Sequence, residues 1–199
     1  MKEIRKPIQK RSIEKMNKIS DAGFELFCEK GYHGTNTIEI AKRANVSTGA
    51  LYSYFRDKRD IYITAFEQYL NSFSNALFEK LEDMQQPFNL SIFIERWISI
   101  YIEVYATSNQ ALAQLRMVMI EDEKINQHFC DFENKYVYGI VDILNKNNIL
   151  SNNLPEKVYA SCILVDALCR EKSSFPHDKL NYTALEAQIK NAIFHMLSS

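Results

Sequence analysis

Residues 37–58, TIEIAKRANVSTGALYSYFRDK, decide how this chain is read. They divide into two short helical runs around a tight turn. Ile38, Ile40, Ala41 and Ala44 are expected on one face of the first run. Leu51 and Phe55, four residues apart, share a face of the second. What remains on the second run is Ser47, Thr48, Tyr52, Ser53 and Tyr54. Hydroxyl groups at that density suit phosphates and base edges better than a core. Two helices so arranged make a helix-turn-helix, whose second helix fits the major groove of DNA.

The approach to this stretch holds Leu26, Phe27, Gly31, Tyr32 and Thr35. It then runs in order through Thr37, Ile38, Ile40, Ala41, Ala44, Val46, Ser47, Gly49, Leu51, Tyr52, Tyr54, Phe55 and Lys58. In this it resembles the DNA-binding region of the TetR/AcrR family of transcriptional repressors. The likeness is ungapped and extends to about residue 70. Beyond it, only length, helical character and element order are similar.

Composition agrees with a helical chain. The 199 residues are enough for a substantial core, and five glycines and four prolines favour long helices over a turn-rich β architecture. The net charge of −1 hides an asymmetry. Residues 1–60 hold 13 Lys and Arg against 8 Asp and Glu, whereas residues 61–199 hold 11 against 17. A basic first third on an acidic remainder points to a polyanionic partner for the first part alone. Cys28, Cys130, Cys162 and Cys169 show no CxxC spacing, so buried reduced thiols are expected. Cys162 and Cys169 share a helix face two turns apart, too far to bond to each other. A charged N-terminus without an apolar run, and Glu95, Arg96 and Glu103 interrupting the segment Ile92–Ala106, argue against a signal peptide and a membrane span. A cytoplasmic protein is expected.

Along the chain, Lys2, Arg5, Lys6, Lys10 and Arg11 make a basic arm. A first helix to about Lys30 turns Ile13, Met16, Ile19, Gly23, Leu26 and Phe27 inward, and Gly31 and Gly34 end it. Thr37 is expected to cap the next helix, and Ser47 or Thr48 the one after. Asp57 opens a fourth helix with the stripe Ile61, Ala65, Phe66, Tyr69, Phe73, Leu77 and Leu81, broken at Gln85-Gln86-Pro87. Ser91 to about Thr107 is apolar on nearly all sides and belongs inside a bundle. Helices at about 110–119, 123–145, 155–172 and up to about 197 complete the chain. The expectation is an all-α protein of about nine helices. Its N-terminal module is a three-helix helix-turn-helix DNA-binding domain, residues 1–57. A C-terminal helical bundle, residues 58–199, serves ligand binding and dimerisation.

The resemblance adds roles. It puts Thr37 near a phosphate. It also sets Ser47, Thr48, Gly49, Tyr52, Tyr54 and Lys58 against double-stranded operator DNA. The second run lacks Arg, Asn and Gln, the usual bidentate readers of guanine and adenine, so thymine-methyl contacts and indirect readout are expected to carry more. The resemblance implies a homodimer formed through the last two helices. Their stripes are Val158, Cys162, Val165 and Cys169, and Leu185, Ile189, Ile193 and Met196. It implies a small, often apolar effector, for which Phe66, Tyr69, Trp97, Tyr101 and Tyr105 are the candidate wall; plain core is the competing reading. The consecutive Glu121-Asp122-Glu123 reads as a solvated turn or helix start. His33, His128, His177 and His195 have no metal spacing, and no nucleophile, phosphate loop or cofactor motif is present. The expected protein is therefore a ligand-released repressor, not an enzyme. A helical ligand-binding or scaffolding protein without regulatory DNA binding is the alternative.

Overall fold

The computed structural model describes residues 10–82, 87–174 and 176–199, and the side chains of all of these except 107–109. The basic arm's Lys2, Arg5 and Lys6, and the break at Gln85 and Gln86, lie outside the described residues. Among those described, every regular element is helical. In chain order they are α1 (Lys10–Gly34), α2 (Thr37–Arg43), α3 (Thr48–Leu51), α4 (Lys58–Glu82), α5 (Leu90–Glu121), α6 (Glu123–Lys146), α7 (Leu154–Ser174) and α8 (Tyr182–Ser198). Gly31, at φ 74°, divides α1 into two pieces, which makes nine helical pieces among the described residues. The helices expected at 91–107 and 110–119 form one element, α5. Thr107, Ser108 and Asn109 are modest helix formers, but no Gly or Pro interrupts the backbone ladder there.

The described residues fall into two compact units. The first contains those up to Asn71 together with Gln110–Cys130. Its core is built from Ile19, Leu26 and Phe27 of α1, Ile40 and Ala41 of α2, Leu51 and Phe55 around α3, and Ile61, Tyr62 and Phe66 of α4. Each large apolar side chain so buried contributes about 1.5–3 kcal/mol. The rings interlock: Tyr62 stacks on Phe66 at 4.4 Å and meets Phe27 edge-on at 4.9 Å, while Phe24 stacks on Tyr69 at 4.6 Å. Gly23 permits this packing, since a Cβ there would stand 2.7 Å from Ile61 Cγ2. Two residues expected inside are not. Ile13 and Ile38 are 40% and 68% exposed. Ile38 lies about 200° around the helix from the buried Ile40, so both cannot face one core.

The second unit contains Ser72–Asn109 and the described part of Asp131–Ser199. Phe93, Ile94, Trp97, Ile98 and Tyr105 of α5 are buried there, with Leu77 and Leu81 of α4, Ile140 and Leu144 of α6, Val158, Val165 and Leu168 of α7, and Ile193 and Leu197 of α8. Trp97 Nε1 donates to the Tyr136 hydroxyl at 2.9 Å, giving a large buried ring its polar partner. Gly139 admits the Phe78 ring, which a Cβ would meet at 2.6 Å. Pro155 sits in the first turn of α7, where its missing N–H costs nothing.

Candidate nucleic-acid interface

The helix-turn-helix is set by its caps. Asn36, not Thr37, caps α2: its Oδ1 accepts from Glu39 N at 3.0 Å. Asn36-x-x-Glu39 was the readable signal, and Thr37 takes the first helical position instead. At the other end the chain turns through Asn45 at φ 54°, where Asn45 N donates to Lys42 O and Val46 N to Ala41 O. This pair of bonds is a Schellman motif with asparagine in the left-handed position usually held by glycine. Ser47 follows at once as the cap of α3, accepting from Ala50 N at 3.1 Å. Two caps and one left-handed residue thus fix the angle between α2 and α3.

The module is also clamped from behind. Arg43 of α2 donates to both carboxylate oxygens of Glu29 at 2.9 Å and to Glu25 at 3.0 Å. That hydrogen bonding holds the Glu29 carboxyl below its ordinary range. Lys30 reaches Glu39 at 3.2 Å. Thr35 Oγ1, buried, is placed to donate to the carbonyls of Gly31 and Leu26.

The sequence-derived residues divide by what the structure does with them. Ser47 and Gly49 are exposed, Tyr52 is 48% exposed, and Thr37, Thr48 and Tyr54 are half-buried. The hydroxyls of Thr37 and Tyr52 hydrogen-bond at 2.9 Å, joining the start of α2 to the end of α3 on one surface. An ideal Cβ on Gly49 would meet nothing within 4 Å, and its φ is not in the positive range. No internal packing or strain therefore calls for glycine there. Lys58 is placed differently from its expected phosphate role. Its ammonium donates to Tyr32 O at 2.7 Å and Thr35 O at 3.0 Å and lies 4.3 Å from the centre of the Tyr32 ring. It closes the end of α1, and burial pushes its pKa down.

The same residues carry the match to known proteins. Residues 19–65 match the model for bacterial regulatory proteins of the tetR family. The fatty acid metabolism regulator protein of Bacillus subtilis strain 168 is 30% identical over 120 residues, 59% of this chain and 62% of that protein. IcaR, the HTH-type negative transcriptional regulator of the biofilm operon icaADBC in Staphylococcus aureus strain Newman, is 30% identical over 142 residues, 59% of this chain and 76% of that protein. The chain belongs to the TetR family. Against two other curated relatives it spans 32% and 52% of the relative's length. The fold is shared further: a TetR-family transcriptional regulator from Streptomyces coelicolor superimposes with a TM-score of 0.66 at 17% identity, over 94% of this chain and 97% of that one. TetR-family proteins are transcriptional regulators rather than enzymes.

The residues read as effector-binding are divided between the two compact units. Phe66 and Tyr69 belong to the first compact unit, in the ring cluster with Phe24 and Tyr62. Trp97, Tyr101 and Tyr105 belong to the second, where Tyr101 meets Phe73 edge-on at 6.3 Å. Burial raises the phenols of Tyr101 and Tyr136 well above their ordinary range, and burial with the nearby Glu133 pushes the Cys162 thiol up to about 12. A cavity of about 410 Å³ opens between α5 and α8, lined by Ser91, Ile94, Glu95, Lys190 and Phe194 among others, and by none of the five candidates.

Of the stripes read as a dimer face, Val158, Val165, Cys169 and Ile193 are buried inside the protomer and offer no surface. Cys162, Leu185, Ile189 and Met196 are half-buried. The large exposed apolar side chains of these helices are Tyr159, Ile163 and Phe194. Glu121-Asp122-Glu123 is a helix junction. Asp122 Oδ1 accepts from Lys124 N and Ile125 N as the cap of α6, and its Oδ2 accepts from Arg59 at 2.7 Å. Among the described residues no cluster of three metal-binding side chains occurs, and no helix is long and apolar enough to cross a membrane.

Proposed function

We propose that the protein is a sequence-specific transcriptional repressor that binds double-stranded operator DNA as a homodimer and is released by a small apolar effector. The observation that carries this reading is the surface from Ser47 to Tyr54: hydroxyl-rich, joined to Thr37, and holding a glycine that nothing inside the fold requires. Thr37, Ser47, Thr48, Gly49, Tyr52 and Tyr54 contact the duplex. Lys58 supports this surface through the end of α1, where two carbonyls hold its ammonium. Residues 1–57 are the DNA-binding domain and 58–199 the ligand-binding and dimerisation domain. The protein works in the cytoplasm without metal or cofactor.

Two recognition helices related by a twofold axis meet successive major grooves, about 34–36 Å apart. The dimer forms through α7 and α8, with Tyr159, Ile163 and Phe194 joining the half-buried members of the expected stripes. The effector binds in the C-terminal bundle, where Trp97, Tyr101 and Tyr105 are the candidate wall. Its apolar character is supported by those rings and by the name of the Bacillus subtilis relative, a fatty acid metabolism regulator. The effector must prefer the arrangement that does not fit DNA, or it shifts nothing. Gel-shift titration with the DNA upstream of the chain's own coding region tests the reading. Retardation that weakens as salt rises is expected; none at any salt concentration contradicts it. Added free fatty acid is expected to reverse the shift.

A further inference from the structure

The cations of the helix-turn-helix are mostly committed inside the fold. Lys30 is held by Glu39, Arg43 by Glu25 and Glu29, Arg59 by Asp122, and Lys58 by two carbonyls, while Arg56 lies 3.8 Å from Asp60. Lys42 of α2 is the exposed exception without a carboxylate partner among the described residues, so most of the charge that would attract a polyanion comes from elsewhere in the basic third of the chain. Arg11, Lys15 and Lys18 in the first turns of α1 are exposed and have no carboxylate partner among the described residues. At four and seven residues apart they fall within about 60° of the helix circumference. The acidic residues of the same turns, Glu14 and Asp21, border this stripe on one side, four residues before and three residues after Lys18. Followed along α1, the cationic stripe passes Ala22, which is buried, and reaches Glu25 and Glu29, which grip the last residue of α2. The face that presents the three cations is thus the face on which α2 is anchored.

We propose that Arg11, Lys15 and Lys18 form a second DNA surface on α1, which binds the phosphate backbone and supplies most of the salt-dependent attraction. The α2–α3 surface, poor in free cations, then supplies register and sequence preference. The proposal rests on reading the chain as a DNA-binding protein. Its ligand is the phosphate backbone of any duplex, so the operator need not be known.

The test is fluorescence anisotropy of the full chain with a labelled 24-bp duplex of random sequence, titrated at several KCl concentrations. The logarithm of the binding constant falls with the logarithm of salt by about 0.9 for each phosphate neutralised. The triple variant Arg11→Gln, Lys15→Gln, Lys18→Gln is expected to lower that slope by about 2 to 3. A control that removes the same charge elsewhere, Lys124→Gln, Lys135→Gln, Lys179→Gln, is expected to leave the slope within about one contact of wild type. Circular dichroism confirms that both variants keep the wild-type helix content. Wild-type binding with an unchanged slope in the α1 variant, or an equal loss in the control, overturns this proposal alone. An unchanged DNA slope with loss of binding to phosphatidylglycerol vesicles assigns the face to a membrane and overturns it too. No wild-type binding even at low salt overturns it together with the reading beneath it.

Discussion

Two glycines on the same side of the chain carry opposite meanings, and one substitution separates them. Gly23 is required by packing, because a methyl there would press on Ile61 Cγ2, a branch held close to its own backbone. Gly23→Ala gains about 1 kcal/mol of helix propensity. Overpacking a tight core costs about 1–3 kcal/mol, so the variant is expected to be less stable in urea unfolding. Gly49 faces open space. Gly49→Ala is expected to raise stability by up to about 1 kcal/mol, since helix propensity is gained and nothing is displaced. The same variant is expected to bind the duplex more weakly in the anisotropy assay, because the added methyl holds the backbone off the groove. A Gly49→Ala protein with unchanged affinity would leave that glycine without an explanation. The family resemblance makes Gly49 a candidate but is silent on Gly23's partner. Close approach between α1 and α4 depends on which side chains meet across the core, and a one-dimensional pattern does not carry that.

At the scale of elements, local rules were legible and pairings were not. Asp57 ahead of α4, Pro155 in the first turn of α7 and the stop at Gly31 follow from residue type alone, whereas residue type offers Ser47 or Thr48 as the cap of α3 and the structure takes Ser47. Thr37 is not the cap that its residue type suggests: Asn36, one residue earlier, also has the chemistry, and only the geometry of the turn chooses between them. Ile38 is exposed although four apolar residues in seven look like one stripe, because it and Ile40 oppose each other across the helix. The Arg43–Glu29 clamp between α2 and α1 joins residues fourteen apart and was not read. It has a pH signature. Glu29 titrates below its ordinary value of 4.5 because Arg43 favours its charged form. The clamp's contribution is therefore complete above that ordinary value and is lost as pH falls through the lower, folded value. Glu29→Gln is expected to flatten the loss of α2 protection on acidification, followed by amide hydrogen exchange between pH 6 and pH 3. Identical acid profiles for the two proteins would show that the clamp does not hold α2.

For the whole molecule, the all-helical class and the family were legible from the first third, where caps, turn and hydroxyl face lie close together in sequence. The bundle was less so. In α7 and α8 an apolar stripe at helical spacing fits either a core or a partner's face, and the structure gives Val158, Val165, Cys169 and Ile193 to the core. Tyr159, Ile163 and Phe194 are what the two helices leave outside. If α7 and α8 pair between protomers, Ile163→Glu places a charge in that contact. It is expected to convert a species of twice 23.2 kDa into one of 23.2 kDa in sedimentation velocity, with helix content unchanged. A variant that stays dimeric would move the interface elsewhere.

All of this turns on whether the hydroxyl surface beginning at Ser47 lies on DNA. Tyr52 is the residue to remove, because it is nearly half exposed and the one hydrogen bond its side chain makes among the described residues, to Thr37, is itself on the surface. Losing that bond costs about 1 kcal/mol or less. The deciding measurement is the affinity of Tyr52→Ala for the upstream duplex by gel shift, beside its melting temperature. The account predicts at least a tenfold weaker complex, equivalent to about 1.4 kcal/mol, in a protein that melts within a few degrees of wild type. A stable Tyr52→Ala protein that binds as tightly as wild type would contradict it.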